Sequence, residues 1–137
     1  MRRQKRKPHS KAWRKKADVL WSQIIRLPGK CAICGRTTSL QAHHLIHKSA
    51  VFFRHNLENG ICLCARCHEY AYSTDKQPGA VSAHGSPWAF EKWMQEHRPQ
   101  QFDWWQKNRW EVITGKRIDY EAIYDNLEAV LEAADGD

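Results

Sequence analysis

Five cysteines and a run of histidines fall in the middle of this 137-residue chain. Cys31-Ala-Ile-Cys34 and Cys64-Ala-Arg-Cys67 are two C-x-x-C pairs, the spacing at which two short turns offer four thiolates to one tetrahedral ion. A structural zinc site on Cys31, Cys34, Cys64 and Cys67 is expected, with a redox pair or free thiols as the alternatives. A disulfide framework fits poorly, because the count of five is odd and the charged start, Met1 to Lys16, lacks the apolar stretch of a secretory leader. Cys62 is left over and reads as a small buried hydrophobe on a strand.

Between and beside the pairs lie Gln41-Ala42-His43-His44-Leu45-Ile46 and Asn59-Gly60-Ile61-Cys62-Leu63-Cys64-Ala65-Arg66-Cys67-His68. An imidazole can ligate a cation or move a proton near neutral pH. Neighbours on a strand point to opposite faces, so His43 and His44 cannot both ligate one ion from there: one binds and one reacts. His68 lies about 100° around a helix from Cys67, so it can face a groove while Cys64 and Cys67 face the zinc.

Together these stretches resemble the HNH nuclease family, whose ββα-metal motif carries a histidine pair on its first strand, an asparagine in the connecting loop and a histidine on its helix. The likeness covers about residues 31–73. Fifteen positions from His44 to Asn59 and nine from Asn59 to His68 are similar to the spacing of the colicin-type members. The resemblance implies that His43 and His68 hold a catalytic divalent cation and that His44 is the general base. It also implies that Asn59 ties the loop together and so holds His44. Mg²⁺ or Mn²⁺ is the expected ion, with Ni²⁺ or Zn²⁺ as alternatives for a site rich in imidazole. Colicin-type members carry a further metal-binding histidine one helical turn later, where this chain has Tyr72. The activity implied is hydrolysis of DNA phosphodiester bonds, in the manner of phage enzymes of recombination or genome packaging. The rival readings are a zinc-dependent nucleic-acid-binding protein without turnover and an RNA-acting nuclease.

The elements that must position these groups follow from periodicity. A strand over Ser39 to Ile46, a loop to Glu58, a strand over Gly60 to Leu63 and a helix from about Ala65 give an α+β, ββα-metal (treble-clef-like) core. Ser10 caps a helix with Trp13, Ala17, Leu20, Trp21 and Ile24 on one face, and Leu27-Pro28-Gly29 ends it. Residues 76–85 read as a flexible linker. Ser86-Pro87 opens a tryptophan-rich helical region broken at Pro99, whose aromatics mostly pack, with one or two free to stack on bases. A final amphipathic helix, Asp119 to Ala134, should dock on the domain or on a second copy. The expected divisions are 1–27, a basic arm and helix; 28–75, the nuclease core; and 76–137, the linker and C-terminal helices.

Charge points to the partner. The chain carries +7 at pH 7, yet nine of its 22 basic residues and no acid fall in residues 1–16, so the remainder holds 13 bases against 15 acids. The excess is therefore an arm, suited to a polyanion through its phosphates. Arg2, Arg3, Lys5, Arg6 and Lys7, with Lys48 and Arg54 in the loop beside the site, are the expected DNA contacts, while His47 and His55 are read as surface residues. No run approaches the ~18 apolar residues of a membrane span, and a cytoplasmic location is expected.

Overall fold

A computed structural model of the chain describes residues 5–70, 81–111, 113 and 116–136. The architecture is α+β: α1 (Lys11–Ile25), β1 (Leu40–His44), β2 (Gly60–Cys64), a single π-type turn (Arg66–Tyr70), α2 (Pro87–His97), α3 (Pro99–Asn108) and α4 (Tyr120–Asp135). Ser10 caps α1 by accepting the Trp13 N–H, and Asp119 caps α4 by accepting that of Ala122. Among the described residues no helix is long and apolar enough to cross a membrane.

The strands form one antiparallel pair in the register Leu40↔Cys64, Ala42↔Cys62 and His44↔Gly60. Every residue of β2 is buried, because the ribbon is covered on both faces. Ile61 and Leu63 face a cluster with Phe53, Phe90, Met94 and Trp105, whereas Cys62 faces Ala17, Leu20, Trp21, Ile25 and Leu127. Two cores thus flank one thin ribbon, each fed by alternate residues of the same strand. Leu63 and Met94 are fully excluded from solvent, and burial of such a side chain contributes about 1.5–3 kcal/mol.

The flanking helices close these cores. The apolar stripe of α4 packs on α1, with Trp13 and Tyr124 ring centroids 5.4 Å apart and Leu127 buried between the helices. Pro99 opens α3 directly after α2, and Gln101 donates to the Glu58 and Gly60 carbonyls at 2.8 Å, pinning the entry to β2. Trp21 and Trp105 are core residues, while Trp88 and Trp110 stand 75% and 81% exposed.

Three expectations need correction. Residues 81–85 are not a loose linker: Ser82 and Ala83 are buried, and the Ala83 and His84 N–H groups donate to the Cys67 and His68 carbonyls at 2.8 and 2.9 Å. Small side chains let this segment press against the π-type turn and satisfy carbonyls left open at its end. Residues 76–80 of the expected linker lie outside the described residues. Ser86 precedes Pro87 as expected, but its hydroxyl accepts from the Ser82 N–H instead of capping α2. His55 is buried rather than superficial, because Asp18 of α1 binds its Nε2.

Candidate active site

The four cysteine sulfurs converge where the turn after α1 meets the end of β2. Their Sγ atoms lie within 4.8 Å of one another, and Cys34 Sγ stands 3.6 Å from Cys64 Sγ. Zn–S bonds of about 2.3 Å in a tetrahedron place sulfurs roughly 3.8 Å apart, so the donor set suits zinc. Gly35, at φ +76°, closes the first turn by donating its N–H to the Cys31 carbonyl. Burial opposes ionisation of Cys31, yet backbone N–H groups of Cys34, Cys64 and Ile33 draw its pKa down to about 7. Burial pushes the Cys67 thiol up instead, reinforced by the charge of Cys31 and by the neighbouring sulfurs crowded against it.

A second cluster joins three parts of the chain. His43 comes from β1, His68 from the π-type turn and His84 from the tight turn before α2, each offering a ring nitrogen within 4.8 Å of the others. His68 Nδ1 donates to Gln41 Oε1 at 2.5 Å, which leaves Nε2 as its free lone pair, 3.2 Å from His84 Nε2. Nitrogen ligands at about 2.0–2.1 Å from one ion are separated by roughly 3.0–3.4 Å, so the spacing suits a shared cation. Burial, reinforced by His68 and His84, holds His43 down to about 3; burial and His84 also lower His68. Both rings are therefore neutral at physiological pH, the form that ligates.

His44 turns the other way, into the α1 core. Its ring stacks on Trp21 with centroids 4.0 Å apart and planes 14° from parallel. Its Nε2 lies 3.0 Å from the Arg54 carbonyl, an acceptor only, so Nε2 carries the proton and Nδ1 the lone pair. Burial pushes His44 down to about 4 despite the opposing pull of that hydrogen bond. Arg54 is itself clamped: its Nε and Nη2 donate to the two Asp18 oxygens at 2.8 and 2.7 Å, and His55 Nε2 meets Asp18 Oδ1 at 2.7 Å. Burial opposes ionisation of Asp18, but these partners outweigh it and hold the carboxyl far below its usual range.

Asn59 locks the loop between the strands. Fully buried, it accepts the Ile46 N–H on Oδ1 at 2.6 Å and donates through Nδ2 to the Ile46 and Phe53 carbonyls at 3.0 and 3.1 Å. Phe53 directly precedes Arg54, so this carboxamide sets the height at which the Arg54 carbonyl meets His44.

Ala42, His43 and His44 all line one cleft of about 400 Å³ beside β1, whose second edge has no strand partner among the described residues. From that edge the strand's two faces are both in reach. His68 and His84 approach from one side, and Asp18, Trp21, Ser22 and Arg54 from the other.

Residues 31–73 match the family model described as HNH endonuclease. The likeness to HNH endonucleases is confined to that segment, about a third of the chain. No curated protein and no solved structure matches the chain. The HNH match spans the four cysteines, His43, His44, Asn59 and His68, but neither α1 nor His84.

Of the residues expected in the matched segment, His43, His44 and His68 line one opening with His84, Asp18 and Trp21, whereas Asn59 is buried and the four cysteines form a separate cluster. Lys48 lines the cleft, and so does Arg54, although its guanidinium is already bound to Asp18. Lys5, Arg6 and Lys7 are exposed; Arg2, Arg3 and Tyr72 lie outside the described residues. His84 was missed, since nothing in a Ser-Ala-His-Gly-Ser stretch marks a ligand except an unassigned histidine. Asp18 and Trp21 were missed as site residues because helical periodicity assigns α1 to packing alone.

Proposed function

We propose that the protein is a metal-dependent DNA endonuclease that hydrolyses phosphodiester bonds, with a structural zinc on Cys31, Cys34, Cys64 and Cys67. His43, His68 and His84 would hold the catalytic cation, Mg²⁺ or Mn²⁺, with Ni²⁺ or Zn²⁺ as alternatives. The observation that carries this reading is one cleft shared by three convergent imidazoles and a fourth whose lone pair is left free.

His44 acts as the general base. The Arg54 carbonyl accepts a hydrogen bond from its Nε2–H, so Nδ1 can accept a proton from the water that attacks phosphorus. Trp21 fixes the plane of the ring, and Asn59 and Asp18 act at one remove by fixing Arg54. Gln41 keeps His68 in the tautomer that leaves Nε2 free for a ligand, and its hydrogen bond also orients the ring. Lys48 and the arm residues Arg2, Arg3, Lys5, Arg6 and Lys7 meet the phosphates of DNA. A divalent cation bound here supplies positive charge for the non-bridging and leaving oxygens as they become more negative. The setting implied is cytoplasmic, with phage recombination or packaging proteins as companions.

Plasmid nicking in Mg²⁺ and in Mn²⁺ tests the reading. His44→Ala should lose about 10²–10⁴-fold in rate with its metal content intact. His84→Ala should instead require more metal for the same rate. Absence of cleavage by wild type in every divalent ion would leave a zinc-dependent nucleic-acid-binding protein, and cleavage of RNA alone would change the substrate.

A further inference from the structure

α1 lies outside the HNH match yet forms one wall of the cleft, through Asp18, Trp21 and Ser22. At 100° per residue, Lys11, Lys15, Asp18 and Ser22 fall within about 60° of one another around the helix, on a single stripe. Lys11 and Lys15 are exposed, and they continue the cleft wall toward the helix start. Lys15 stands one turn, about 4.5 Å, before Asp18 along the axis, and Lys11 a further ~6 Å, which is comparable to the separation of neighbouring phosphates on a strand.

Several features set this stripe apart from an ordinary solvated face. The first turn of α1 holds no acid, and its cations oppose the helix dipole. Among the described residues no ion pair involves Lys11, Arg14 or Lys15. Arg14, beside the stripe, has a buried Nε with no hydrogen-bond partner. The one acid on the stripe, Asp18, is paired with the Arg54 guanidinium and hydrogen-bonded to His55, so its charge is countered before an anion approaches.

We infer that Lys11 and Lys15 of α1 form a phosphate-binding rail, which grips the polynucleotide backbone on one side of the scissile bond and feeds it into the cleft. This rests on the nuclease reading for the position of the scissile bond, though the binding surface itself does not. The rail is distinct from the arm before Lys11: it is built on a rigid helix in fixed register with His44, so it would set the direction in which a strand leaves the site.

The test compares two charge-matched variants, Lys11→Gln/Lys15→Gln and Lys30→Gln/Lys92→Gln, the latter at exposed positions off the stripe. Glutamine keeps helix propensity, so thermal unfolding should match wild type in both. Anisotropy of a labelled DNA duplex is followed against salt, without added Mg²⁺ or Mn²⁺. Removal of two phosphate contacts should flatten the slope of log K against log salt by about 1.8 and weaken binding by roughly tenfold per lysine at 0.1 M salt. The control pair should stay near wild type. An unchanged slope in the rail variant, an equal loss in both pairs, or no binding by wild type would each overturn the inference. Loss confined to the rail variant in a protein that never nicks DNA would keep the rail and reject the nuclease.

Discussion

Replacement of Asn59 by alanine removes the three hydrogen bonds that join Ile46, Phe53 and the start of β2, at a position no water reaches. Each is worth about 1 kcal/mol net when made, and the orphaned Ile46 N–H and two carbonyls add a desolvation cost, so the loss should total about 3–5 kcal/mol. For 137 residues, an unfolding entropy of about 2.1 cal/mol/K per residue converts this to a Tm lowered by roughly 10–17 °C. Asn59→Asp separates geometry from chemistry. It keeps an acceptor for Ile46 but turns a carboxylate toward two carbonyl oxygens, so it should be at least as destabilising at pH 7 and should recover in part as acid protonates it. Circular dichroism melts of the zinc-loaded proteins give the stability, and nicking assays report the displaced Arg54 carbonyl as a lower rate. An Asn59→Ala protein melting within about 3 °C of wild type would refute the reasoning, because the Ile46 N–H and the Ile46 and Phe53 carbonyls would then have been paired without the carboxamide.

Gly60→Ala would set a Cβ 2.6 Å from Ile25 Cγ1 and 2.7 Å from Trp21 Cζ2; the overpacking should cost about 1–3 kcal/mol and, by shifting the Trp21–His44 stack, slow nicking while metal content holds. Unaltered Tm and rate would contradict this packing. Cys64→Ser should abolish zinc retention and cooperative unfolding, since structural zinc in small peptides supplies about 10–16 kcal/mol of apparent binding energy; elemental analysis and a melt decide, and a zinc-free variant that melts like wild type would refute it. Asp18 has its folded-state pKa depressed by Arg54 and His55, so its contribution to stability is complete above the unfolded value of about 3.9 and fades as pH falls through that value toward the folded one. Asp18→Asn should therefore be less stable than wild type at pH 7, with the difference shrinking below about pH 4 in acid titrations of Tm; a gap that stays constant to pH 2 would argue against the pairing.

What could be read without coordinates was local. Ser10, Pro99 and Asp119 mark helix boundaries through short-range sterics and hydrogen bonding, and two C-x-x-C pairs announce their own convergence. The strand alternation that sends His43 and His44 to opposite faces is equally local. Hidden features depend on contacts across long separations. Trp21 meets His44, and Asp18 meets His55 from 37 residues away, through side chains whose spacing also suits an ordinary amphipathic helix. His84 reaches His68 only because the small residues before it let the backbone pair with Cys67 and His68, a fit that depends on shape more than on pattern.

The two-core arrangement has a consequence for how this protein can change. In the proposed reading, the ligand ring of His43 leans on Phe90 of α2, while the proton acceptor His44 leans on Trp21 of α1, with only the width of a strand between. A void opened beneath either side should therefore blunt one half of the chemistry and spare the other. Metal preference and proton transfer can then drift independently through distant substitutions, which makes the ribbon less a shared floor than a partition between two separately tunable workshops.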